Sequence, residues 1–166
     1  MKTTQKILTS LLPFLLATFI LFTGCKQKQF NPETSVGKGW TTLEDNPASL
    51  KIDPLKSQLV TTLRTGEKSI SGEDNRKRLK EIGYILFGAK EFQSFWENQS
   101  QIQPSWKEKI NGKIQYIVFS GTVLQSPVEY RCVVCLYWGH DSQWHWLNNW
   151  LGSNFDANYL SAVQDK

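Results

Sequence analysis

The sequence predicts an α+β domain: two helices followed by an antiparallel β-meander of three to four strands, with the helices packed on one sheet face. Three observations carry this reading. Apolar residues recur at three- and four-residue spacing as far as Trp96. From Pro104 onward they form short runs rich in β-branched and aromatic residues. Those runs are separated by turn-forming groups.

The first helix is expected to open at Asp53-Pro54, where Asp accepts orphan amide hydrogen bonds and Pro suits the first helical position. Leu55, Leu59 and Leu63 then recur at four-residue spacing, and Gly66 is a stop. A second, longer helix is signalled by Ser71-Gly72-Glu73-Asp74 and continued by Leu79, Ile82, Leu86, Ala89, Phe92 and Trp96. Gly83 and Gly88 each cost about 1 kcal/mol inside it, and they leave open a rival in which 84–87 is a short strand. Asn111-Gly112 predicts a hairpin between 106–110 and 113–124. Gln125-Ser126-Pro127 turns the chain into a strand over 128–138, and Gly139-His140-Asp141-Ser142 turns it into another over 143–151. Asp156 is expected to cap a short last helix through Leu160 and Val163.

The composition (166 residues, 40% hydrophobic, 20% charged) suits one globular domain and excludes collagen-like, fully disordered and polytopic membrane chains. The average hides two unlike parts. Lys2 and Lys6 precede an uncharged apolar run over 7–22, the order of an export signal. That run ends at Phe22-Thr23-Gly24-Cys25, after which polarity begins with Lys26-Gln27-Lys28-Gln29. These residues resemble the lipobox of bacterial lipoprotein signal peptides, with Phe22 standing where that family usually has Leu. The resemblance covers 1–25 alone. It implies lipidation of Cys25, removal of 1–24, and anchoring by acyl chains to a cell membrane or outer membrane on its extracytoplasmic side. At about 0.8 kcal/mol per buried methylene, two or three chains hold firmly.

On this reading 25–39 is a flexible tether, reaching on the order of 20 Å, and 40–166 is the single domain. Loss of Lys2 and Lys6 takes the basic residues from 19 to 17 against 15 acidic ones. The whole-chain charge of +4 therefore falls to about +2, which gives no reason to expect nucleic acid.

Cys132-x2-Cys135-x4-His140-x4-His145 is similar to a zinc knuckle, with His145 in place of the last Cys and Leu136 in place of a Gly. A strand, however, points Cys132 and Cys135 to opposite faces about 10 Å apart. That is too far for a disulfide and wrong for a tetrahedral metal site. Both are read as packing residues, with a disulfide as the alternative if a bulge or turn intervenes, and neither a metal nor a cofactor is expected.

Four of the seven Trp fall within 138–150, and Trp144, Trp146 and Trp150 share a strand face by parity. Core packing is the first reading of that row. A partner interface or a ligand-binding platform that stacks on glycan rings is the alternative. The basic run Arg76, Lys77, Arg78 and Lys80 reads as a solvated helix face paired at i,i+4, with a membrane-facing patch as its rival. No nucleophile elbow, His-Glu-x-x-His pair or phosphate-binding loop is present. The expected role is thus a non-enzymatic, lipid-anchored envelope binding or assembly module. A glycan-binding module and a small hydrolase with an unrecognised site are the alternatives.

Overall fold

A computed structural model describes residues 30–46, 53 and 56–166. Its elements are, in chain order, α1 (Pro32–Ser35), β1 (Thr41–Glu44), β2 (Gln58–Val60), β3 (Ser69–Ser71), α2 (Gly72–Ile82), β4 (Ile85–Leu86) and α3 (Ala89–Glu97). There follow β5 (Lys109–Ile110), β6 (Lys113–Ile114), β7 (Tyr116–Gln125), β8 (Arg131–Trp138), β9 (Trp144–Trp150), β10 (Asn154–Asp156) and β11 (Tyr159–Gln164). The class is α+β, as the sequence predicts. The sheet is larger than expected: seven strands, in the order β2-β11-β7-β8-β9, with β1 added to β7 and β4 added to β11.

The meander β7-β8-β9 is present as read, and the Asn111-Gly112 turn joins β5 to β6 with both residues at positive φ, 52° and 78°. The extra strands come from segments that the spacing assigned to helices. The first expected helix is replaced, over its described residues, by β2, which pairs Gln58, Leu59 and Val60 with β11. A spacing of four satisfies period 2 as well as period 3.6, and the β-branched run Val60-Thr61-Thr62 favours the strand. Pro54 and Leu55 lie outside the described residues. The expected last helix is β11, a central strand that runs parallel to β7. Asp156 caps no helix: its side chain accepts from the Asn158 amide at 2.9 Å and closes the turn into β11.

The long second helix divides at its glycines. α2 starts at Ser71, whose hydroxyl accepts from the Asp74 amide at 3.1 Å, and stops at Gly83, held at φ 96°. The Gly83 and Tyr84 amides both donate back to the Leu79 carbonyl, a Schellman-type close. The short-strand alternative over 84–87 is realised as β4. Gly88 and Gly121 let two backbones touch. The Gly121 amide donates to the Phe87 carbonyl at 2.7 Å, and a Cβ on Gly88 would strike the Thr122 hydroxyl.

The helices lie on opposite faces of the sheet, not on one. Ala162 joins the main apolar cluster under α3, built from Phe87, Phe92, Phe95, Phe119, Leu124, Val134 and Leu136. Its neighbours in β11 turn the other way. Ser161 accepts from Asn75 Nδ2 of α2 at 3.0 Å, and Val163 packs with Leu79 of α2. A strand buried on both sides shows no alternation, so its sequence leaves the second layer unsignalled.

The N-terminal boundary also differs. Phe30 is buried in the main cluster and Val36 packs against it. Asn31 caps α1 by accepting from the Glu33 amide at 3.0 Å. Within the stretch expected as tether, Phe30 and Val36 thus pack on the domain, and burying a Phe side chain contributes about 1.5–3 kcal/mol to holding them there.

Candidate functional site

Cys25 lies outside the described residues. The three flagged tryptophans share a face, as parity requires, but do not form an open row. Trp144 is buried, Trp146 packs on Phe92 with ring centroids 5.6 Å apart, and Trp150 alone is exposed, lying 5.2 Å from the Tyr130 ring. Core packing, the first reading of this row, describes Trp144 and Trp146; the alternative glycan platform at Trp144, Trp146 and Trp150 would be covered over most of its length, because α3 lays Phe92 across it.

Cys132 and Cys135 sit opposite Trp150 and Leu147 in the ladder and are both free and buried. Cys135 packs with Val118 and Val133 on the far face from α3. Burial pushes both thiols up, Cys135 furthest. Neither forms thiolate at neutral pH, and alkylation needs thiolate. Both are expected to resist iodoacetamide in the native protein and to react fully in urea, read by mass; rapid native labelling of Cys135 would contradict its burial. His145 of the knuckle-like spacing is engaged elsewhere. Its Nε2 lies 2.9 Å from both Asp141 oxygens, and this contact holds the Asp141 carboxyl below its ordinary range.

Two further constellations are assembled by the fold. The first is a cleft of about 260 Å³ between the 3-10 turn Pro104–Lys107, the β5-β6 hairpin and the β8-β9 turn. Trp106, Ile114 and Trp138 supply its apolar wall, and the Lys107 ammonium stands 4.0 Å over the Trp138 ring. His140 and Ser142 reach it from the turn. Gln115, 5% exposed, lines it too, and its amide nitrogen has no acceptor among the described residues. An unmet buried donor costs about 1–3 kcal/mol.

The second lies where β1, α2 and β8 meet. Glu44 takes Arg131 Nη2 at 2.7 Å, Arg76 Nη1 at 2.8 Å and Lys80 Nζ at 3.5 Å. Arg131 Nε continues to Glu73 at 2.7 Å, and Arg76 Nε donates to the Ser120 carbonyl at 2.7 Å. The Arg131 guanidinium, with help from Arg76 and Lys80, holds the Glu44 carboxyl at about 2. The basic run is therefore mostly spent on tertiary partners, not on i,i+4 pairs: Arg78 makes a two-pronged bridge to Glu67 at 2.5 and 2.8 Å.

The chain matches no protein-family model, no curated protein and no solved structure. The site therefore stands on its own geometry. Of its two parts, the basic run signalled the ion-pair cluster, whereas the cleft joins positions 106 to 142 through tertiary folding alone.

Proposed function

We propose that the chain is a lipid-anchored cell-envelope protein whose domain serves as a non-enzymatic binding module on the extracytoplasmic side of its membrane. The observation that carries this is the lipobox-like Thr23-Gly24-Cys25, which stands five residues before Phe30, buried at the start of the described residues. Five residues span at most about 17 Å. A domain so attached rides on the headgroup layer and does not swing on a long leash. The cleft supports a recognition role, because it gathers hydrogen-bond donors around an apolar wall.

The test is intact mass of the protein extracted from membranes. The expected species begins at Cys25 and carries two or three acyl chains, and Cys25→Ser is expected to be unprocessed and unlipidated. A Cys25→Ser protein with the same mass shift and membrane retention as wild type would overturn the assignment.

A further inference from the structure

We infer that the cleft between Trp106 and Trp138 is a binding site for a carboxylate-bearing sugar of monosaccharide size. This rests on the domain being a binding module, and it does not depend on the anchor at Cys25.

Size comes first. A volume of 260 Å³ holds about eight waters at about 30 Å³ each. That admits a single sugar ring and excludes an oligosaccharide lying wholly inside. The wall chemistry comes second. Gln115 presents a buried amide donor that no acceptor among the described residues meets, so an incoming oxygen would gain a bond already desolvated. Ser142 and His140 add polar contacts at the rim, and the partly exposed Ile114 and Trp138 offer carbon surface to the C–H groups of a ring. A largely polar lining set beside a patch of carbon surface suits a small, strongly polar ligand with one apolar ring face.

Charge comes third and selects among sugars. Lys107 and Lys109 line the cleft against one acid, Glu108. The Lys107 ammonium is held over the Trp138 ring, where the aromatic face replaces part of its hydration. A carboxylate offers that ammonium a charge-assisted hydrogen bond, roughly twice as strong as one to a neutral hydroxyl.

The full chain in detergent is titrated with glucuronate and, separately, with glucose, and followed by tryptophan fluorescence. Glucuronate is expected to saturate the signal, and at least tenfold more glucose to be needed for the same change. Lys107 is exposed, so Lys107→Met is expected to fold; it should weaken glucuronate at least tenfold and glucose by much less, bringing the two sugars together. Gln115→Leu should weaken both. Three results would overturn the inference: no saturation by glucuronate, equal binding of the two sugars, or native glucuronate binding by Lys107→Met. Each of these outcomes sinks the sugar site alone; the anchored-module reading is decided separately by the mass and membrane retention of Cys25→Ser.

Discussion

Phe119→Ala is expected to destabilise the domain by about 3–5 kcal/mol, the range for truncating a buried aromatic ring. Phe119 lies in β7, is fully buried, and is where α3 and the 3-10 turn Pro104–Lys107 both pack on the sheet. Its ring is 5.6 Å from Phe92 and 6.2 Å from Phe95, both in α3, and 6.4 Å from Trp106 in the 3-10 turn. Three aromatic neighbours held by two other elements collapse poorly into the vacated space, so the cavity term is retained. Against a total of about 5–15 kcal/mol this is a large fraction. With a urea slope of about 1.5 kcal/mol/M, the midpoint should fall by roughly 2–3 M. Trp150→Ala is the comparison. It removes an equally large ring, but one that is exposed and touches Tyr130, and should cost about 1 kcal/mol or less. Equal losses would mean that the core is not centred where the structure puts it. Because Trp106 also walls the cleft, Phe119→Ala should blunt the glucuronate response before it unfolds the protein.

What the sequence showed and what it concealed follow from the range of each signal. Turn chemistry is local, and the Asn111-Gly112 and Gly139–Ser142 turns stand where they were read. Helix caps are equally local at Ser71, but Asp156 shows the limit: a carboxylate accepting an amide two residues on is common to helix starts and to simple turns. Periodicity failed at Leu59, where a spacing of four fits both a strand and a helix. It failed again at 159–164, where Ala162 and Val163 are buried on opposite faces and no alternation survives. For the candidate site, parity put Trp144, Trp146 and Trp150 on one face, but parity cannot say what lies above that face. Gln115 carried no signal at all, because an amide is ordinary until its surroundings deprive it of partners.

Glu44→Gln is expected to lower stability at pH 7 by about 2 kcal/mol and to flatten its acid dependence. Glu44 is the shared acceptor of Arg76, Arg131 and Lys80, and Arg76 is 8% exposed. Removing the partner of a fully buried charge costs about 3–5 kcal/mol. The lower figure applies because Glu44 itself is 37% exposed and water screens part of the interaction. The pH sense follows from the direction of the shift. The folded carboxyl is held at about 2 against an ordinary value of 4.5. Its stabilisation is therefore complete above about pH 4.5 and is lost as the pH falls from there towards 2. Urea midpoints at pH 7, 4.5 and 3 should drop for the wild type and drop less for Glu44→Gln; parallel curves would sink the assignment. Glu67, lowered by Arg78, and Asp141, lowered by His145, are unchanged in the variant and supply slope that remains. The site of the loss is also specified. Glu44 ends β1, and its partner Arg76 reaches on to Ser120, where β7 breaks register. Acid should therefore free β1 before the rest of the sheet, seen as early hydrogen exchange of the amides of Thr41–Glu44. The chain next to the proposed anchor is thereby made the part of the domain whose attachment depends on ionised carboxylate.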